Sequence, residues 1–76
     1  MKAYVLINIH PGDLRDVIHQ LKKVTGVLDA NMTFGPYDAV AVIEANDINQ
    51  LGKIISTEIQ PIPGVTQTLT CLAVES

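Results

Sequence analysis

The sequence is short of the residues that cross-link a chain, bind nucleic acid or span a membrane. Of its 76 residues one is a cysteine and five are basic, and the net charge is −3. One cysteine excludes an internal disulfide and an all-cysteine metal site, and it fits a reducing compartment. Five basic residues provide little positive charge for binding a phosphate backbone, so direct binding of nucleic acid is not expected. No run reaches the ~18 apolar residues of a membrane span, and no signal peptide is evident, which predicts a cytoplasmic chain without a membrane partner.

The chain is nevertheless apolar for its length. Hydrophobic residues make up 47% of the sequence and charged residues 17%. A domain of this size buries only about 60% of the surface that its unfolded chain exposes. Part of the apolar surface is therefore expected to be covered by another subunit.

Four segments have the apolar or alternating pattern of β-strands. The first and third are apolar on both faces, which predicts central strands, and the second has one polar face, which predicts an edge strand. The predicted strands span residues 3–9, 27–34, 39–45 and 65–74. Alternation places Leu28, Ala30, Met32 and Phe34 on one face of the second strand. In the fourth strand it separates a threonine face from a face with Val65, Gln67, Leu69, Cys71 and Ala73.

Two helices are predicted between the strands. Asp13 is placed to cap the first helix, and Gly26 stops it. Asp47 is placed to cap the second, Gln50 completes a capping box, and Pro61 ends the helix. The apolar stripe of the first helix consists of Leu14, Val17, Ile18, Leu21 and Val24. That of the second consists of Ile48, Leu51, Ile55 and Ile59, with Ile54 beside it.

The order strand, helix, strand, strand, helix, strand predicts an α+β, ferredoxin-like fold with a four-stranded antiparallel sheet. Two helices cover only one face of such a sheet. The uncovered face, which includes Tyr4 and Leu6, is half apolar. Face-to-face packing of two sheets in a homodimer is therefore expected.

No catalytic or metal site is predicted. His10 and His19 are interpreted as surface residues, because nothing in the spacing brings them together with carboxylates or a thiol. Cys71 is interpreted as an inert core thiol in mid-strand. Asp13, like Asp16, is explained as a residue at a helix start. No cofactor is expected.

Two features carry candidate binding chemistry. In the segment FGPYD, residues 34–38, Tyr37 offers a ring and a phenol, and Asp38 offers a carboxylate suited to an ammonium group. In the last strand Thr66, Thr68 and Thr70 share one face. Both features also have a structural interpretation, since glycine and proline make turns and threonine favours strands.

The segments that contain these residues resemble the ligand-binding (RAM) domain of the Lrp/AsnC regulators. FGPYD resembles that family's G-x-Y-D hairpin, and PGVTQTLT at residues 63–70 resembles its PGV-x-x-T-x-T strand. The segments AYVLI and VTGV, residues 3–7 and 24–27, also match, in the right order. The resemblance implies face-to-face dimers that assemble further, often into rings of four or five. It also implies an amino-acid effector bound between dimers, with site residues Gly35, Tyr37, Asp38, Thr66, Thr68 and Thr70.

Two departures from the family pattern limit what the resemblance implies. Full-length members begin with a DNA-binding winged helix-turn-helix, whereas here Met1 leads directly into the first strand. A single effector-binding and oligomerisation domain over residues 1–76 is expected, with an indirect role in transcription regulation. Pro36 stands where the family often has a polar residue. The proline ring stiffens the hairpin.

Two other functions stay open at the level of the sequence. One is a ligand-free adaptor that pairs with a full-length Lrp/AsnC regulator. The other is a small dimeric α+β-barrel enzyme with His10 in a pocket between sheet and helices.

Overall fold

The computed structural model describes residues 1–74. These residues form four strands, two α-helices and a π-helical extension of the second helix, in the predicted order. The strands are β1 (Lys2–Ile9), β2 (Val27–Met32), β3 (Ala39–Glu44) and β4 (Val65–Leu72). The helices are α1 (Leu14–Leu21) and α2 (Ile48–Ile54), and the π-helix spans Ile55–Ile59.

The four strands form one antiparallel sheet in the order β2-β3-β1-β4. The two strands that are apolar on both faces, β1 and β3, are the central ones, which confirms the prediction. In the register between them, Val5 lies opposite Ala41 and Ile7 opposite Ala39. The fold is the predicted ferredoxin-like βαββαβ arrangement.

The hydrophobic core lies between the sheet and the helices. Alternate residues of β1 and β3 point into it, and Val17 and Leu21 from α1 meet Leu51 and Ile59 from the second helical segment. The buried sheet residues are Ala3, Val5, Ile7, Ile9, Ala30, Ala39, Ala41 and Ile43. The described residues include no buried polar or charged side chain. The core is therefore held by apolar packing alone.

Two irregularities in pairing overturn the predicted faces of the edge strands. The register of β2 against β3 shifts between Val27 and Asp29, and Leu28 in this bulge is 61% exposed. The register of β4 against β1 shifts at the Asn8/Ile9 pairs, so Val65 pairs with Ile9 and packs against the core. A bulge inserts one residue and breaks strict alternation. β2 also ends at Met32, so Phe34 lies outside the strand.

The helix caps follow the sequence in one helix and not in the other. The Asp47 carboxylate accepts a hydrogen bond from the backbone N–H of Gln50 at 2.8 Å, and the Gln50 side chain accepts one from Asn46 N–H. The prediction that Asp13 caps α1 through its side chain is wrong, since it makes no such hydrogen bond. Ile48, expected in the buried stripe of α2, is 53% exposed.

Candidate ligand site beside the end of the first strand

Asp38 is attached to the C-terminal end of β1 by two hydrogen bonds. Its backbone N–H donates to the carbonyl of Ile7 at 2.9 Å. Its carboxylate accepts the backbone N–H of Ile9 at 2.7 Å. Just before β3 begins, the Asp38 carboxylate therefore accepts the Ile9 N–H in place of a backbone carbonyl of a neighbouring strand. The sheet thus fixes the position of the carboxylate.

The hairpin that leads to Asp38 is closed by Thr33. The Thr33 hydroxyl donates to the carbonyl of Tyr37 at 2.8 Å, and its N–H donates to the carbonyl of Asp38 at 3.0 Å. Gly35 has φ +125°, a conformation that side chains rarely adopt, and the space around it is open. Tyr37 is half-buried, whereas Phe34 at the tip is fully exposed.

The three threonines of β4 do not form one ladder. Thr66 lies in the bulge, and its hydroxyl donates to the carbonyl of Asn8 at 3.1 Å. Thr68 lies opposite Ile7 on the helix side of the sheet, and its hydroxyl accepts a hydrogen bond from the Gln60 amide at 3.1 Å. Thr70 lies opposite Val5, further from the strand end, and lines a groove beside α2.

The sheet order brings part of the predicted site together. Asp38 contacts β1 at Ile7 and Ile9 from one side, and Thr66 and Thr68 flank the same end of β1 from the other. Gly35 stands apart at the hairpin tip, and Thr70 belongs to a different groove. Asp38 is the one charged side chain among the six candidate residues, so it is the group that can hold a cationic ammonium.

The residues that follow β1 and those that precede β4 contact each other at this end of the molecule. His10 N–H donates to the carbonyl of Gly64 at 2.7 Å. Gly64 has φ +104°, and a Cβ there would lie 2.6 Å from the Cβ of Asp13. A cleft of about 300 Å³ opens beside this contact, lined by Asp13, Asp16, His19, Gln20, Ile62 and Pro63. Sequence reasoning missed this packing, because nothing in the local pattern shows that residues 13 and 64 meet.

The residues considered for catalysis lie on the surface. The His10 side chain is 69% exposed, with Nδ1 at 3.5 Å from a carboxylate oxygen of Asp13, and it is not enclosed between sheet and helices. The interpretation of Cys71 as a core thiol is wrong, because the residue is exposed on the face of β4 that no helix covers. Within residues 1–74 no three His, Cys, Asp or Glu side chains are arranged to hold a metal ion.

The fold defines a small α+β domain of the ferredoxin-like class. The family model described as the Lrp/AsnC ligand binding domain matches residues 2–76, and the chain belongs to this family. The helices of the described part of the chain are all too short or too polar to cross a bilayer.

The relatives by sequence are transcription regulators. An uncharacterized HTH-type transcriptional regulator of Pyrococcus furiosus is 30% identical over 74 residues, which are 93% of this chain and 49% of that protein. The HTH-type transcriptional regulator Ptr1 of Methanocaldococcus jannaschii is 32% identical over 63 residues, or 83% of this chain and 43% of that one. The chain thus spans about half the length of the curated relatives that it matches.

The fold is shared by solved structures of chains of similar length and of chains about twice as long. TTHA0845 from Thermus thermophilus superimposes with a TM-score of 0.93 at 27% identity, over 99% of this chain and 94% of that one. AsnC of E. coli gives 0.92 at 20% identity, over 99% of this chain and 51% of that one. A transcriptional regulator of Neisseria meningitidis in complex with L-Met gives 0.88 at 17% identity, over 97% of this chain and 49% of that one.

Proposed function

We propose that this chain is an amino-acid-binding and oligomerisation module that acts indirectly in transcription regulation. Membership of a ligand-binding family supports the binding role. The L-Met complex of a regulator with the same fold supports an amino acid as the ligand class. Transcription regulators among the relatives support the cellular role.

The observation that carries the proposal is the anchored carboxylate of Asp38. One oxygen accepts Ile9 N–H, so the carboxylate is held at the strand end with its charge beside the hairpin. An ammonium group there makes a charge-assisted hydrogen bond, which is stronger than a neutral one. Thr66 and Thr68 supply neutral hydroxyls on the other side of β1 for the remaining polar atoms of the ligand.

Assembly is part of the same proposal. The face of the sheet that no helix covers presents Tyr4, Leu6, Val40, Val42 and Leu69, and two such faces pack into a homodimer. Phe34 stands fully exposed at the hairpin tip, beside Gly35, where it can anchor a second dimer. A ligand bound between dimers favours the assembled state only by its differential affinity for that state.

The first experiment measures the melting temperature of the chain with each common amino acid. A ligand at a hundred times its dissociation constant adds about 2.7 kcal/mol, which raises the melting temperature by several degrees in a domain of this size. A rise with one or a few amino acids supports the proposal. If no amino acid raises it, and a full-length regulator is captured from extract regardless of amino acid, the ligand-free adaptor replaces it.

Asp38 offers a sharper test through two substitutions. Asp38→Asn keeps an oxygen that can accept Ile9 N–H but removes the charge, so we expect stability to change little and amino-acid affinity to fall about tenfold or more. Asp38→Ala removes the acceptor as well and should also destabilise the fold by about 1 kcal/mol. Glu58→Gln, the same charge change on the π-helix, is the matched control. Calorimetric titration of Asp38→Asn with undiminished affinity would contradict the assignment.

A further inference from the structure

A groove separates α2 from the edge strand β4 on the helix side of the sheet. Its cavity volume is about 430 Å³, and none of residues 33–38 lines it. Small-molecule sites in proteins usually measure about 300–1,000 Å³ and have mostly apolar walls. The groove lies between Ile48, Gly52, Ile55, Gln60, Thr70 and Leu72. It is thus separate from the hairpin site and large enough for a small ligand.

Gly52 forms part of the groove wall, and the protein itself does not require a glycine there. It stands in the interior of α2, where glycine destabilises a helix relative to alanine. Its backbone is not in the left-handed region. A Cβ built on it would meet no atom within 4 Å. A glycine in such a place allows another molecule to approach the helix backbone closely.

The helix changes its winding beside the same groove. At Ile55 the α-helix passes into the π-helix Ile55–Ile59, and Ile55 lines the groove. Segments of π-helix are rare and occur frequently at functional sites. Gln60 follows the π-helix, lines the groove, and donates its amide to Thr68 at 3.1 Å. The groove therefore ends in oriented, neutral polar groups.

The lining determines the class of ligand. Half of the groove residues are aliphatic, three have the neutral polar side chains of Ser56, Gln60 and Thr70, and within residues 1–74 no charged side chain lines the groove. A free ammonium or carboxylate would find no counter-charge among these lining residues and would lose part of its hydration. We propose that this groove is a second ligand site, which binds an uncharged small molecule with an aliphatic chain and a neutral hydrogen-bonding group. The assignment does not depend on the amino-acid site at Asp38.

The test is a titration of the isotope-labelled chain with N-acetyl-L-leucinamide, followed by NMR. This probe has a branched aliphatic chain and two neutral amides but neither charge of a free amino acid. We expect saturable shifts at Gly52, Gln60, Thr70 and Leu72, and none at Asp38.

Two leucine substitutions on α2 give the matched comparison. Gly52→Leu places a side chain into the groove, and because leucine favours helix, the melting temperature should be equal or higher while the probe binds about tenfold more weakly or not at all. Lys53→Leu adds the same side chain outside the groove and should leave probe affinity within about twofold.

Three results would overturn the assignment. One is the absence of saturable shifts in the millimolar range, and another is shifts that map to the uncovered sheet face. The third is a change in sedimentation of Gly52→Leu with no probe binding to the unaltered chain, which would make the groove a contact between copies. Binding of free amino acids to Gly52→Leu, measured in parallel, reports on the Asp38 site alone.

Discussion

The two faces of the sheet have similar apolar patterns and very different environments. On β1, Ala3, Val5 and Ile7 point toward the helices and are fully buried, whereas Tyr4, on the other face, is 39% exposed. Leu69 on the same uncovered face is 47% exposed. Neighbouring residues of one strand thus differ in burial because the helices cover only one face of the sheet, and not because the residues differ in hydrophobicity.

The side chains on the two faces also differ in size. Alanine occupies positions 3, 30, 39 and 41 on the helix side, which lets α1 and α2 approach the sheet closely. The central strands of the uncovered side carry Tyr4, Leu6, Val40 and Val42, which are bulkier than these alanines, whereas the helix side combines the alanines with larger residues such as Ile7 and Ile43. Bulky side chains suit the ~10 Å separation of two stacked sheets. One face is thus covered by the helices of the same chain, and the other presents the apolar side chains that the proposed dimer would cover.

The largest effect is expected from truncation of a core residue of β1, compared with truncation of its neighbour on the opposite face. Ile7→Ala should destabilise the monomer by about 2–5 kcal/mol, because it leaves a cavity in a sealed core. A domain of this size has roughly 4–11 kcal/mol in total, so this variant should be near the limit of folding. Leu6→Ala should cost much less at low protein concentration. Urea unfolding at several concentrations measures both. An equal loss for Leu6→Ala in the monomer would show that the faces do not differ.

A charge on the uncovered face should break the dimer without unfolding the chain. Leu69→Lys places an ammonium within the proposed interface, opposite Leu6 of β1, and we expect a penalty of about 3 kcal/mol, on the order of a hundredfold in the dissociation constant of the dimer. Sedimentation velocity measures the change. Ile48→Lys, at similar exposure on the helix side, is the control and should stay dimeric. Alkylation of Cys71, slow in the dimer and fast in Leu69→Lys, gives an independent readout.

The smallest effect is expected on the helix side of β4. Thr68→Val keeps the shape of the side chain and its strand preference but loses the hydrogen bond from Gln60, at a cost of about 1 kcal/mol. A double-mutant cycle with Gln60→Met should show that the two changes are not additive, as expected for partners in contact. Strict additivity in thermal unfolding would mean that the hydrogen bond contributes nothing to stability.

Much of the fold was predictable because its signals are local. Uniform apolarity identified β1 and β3 as central strands, and Asp47 with Gln50 marked the start of α2. The faces of β2 and β4 were predicted wrongly at Leu28 and Val65, since a bulge depends on how two strands pair. Cys71 was misplaced for a related reason, because apolar neighbours in a strand do not show whether that face is covered.

The candidate site was predictable in residue type and not in arrangement. A Tyr-Asp hairpin and a threonine strand are visible in the sequence, and the resemblance connected them. That Asp38 is bonded to Ile9 N–H, and that Thr68 accepts from Gln60, follows only from the sheet order and the helix position. Whether the six residues hold an amino acid stays a prediction.

The sequence by itself determined which segments form strands and helices, which strands are central, and that the chain has more apolar surface than it can bury alone. These properties depend on side-chain periodicity and composition, which are local. The tertiary structure alone decided where the bulges fall, which side chains meet at the end of β1, and that a groove opens beside Gly52. These depend on contacts between residues distant in the chain, whose energies appear only when the segments pack together.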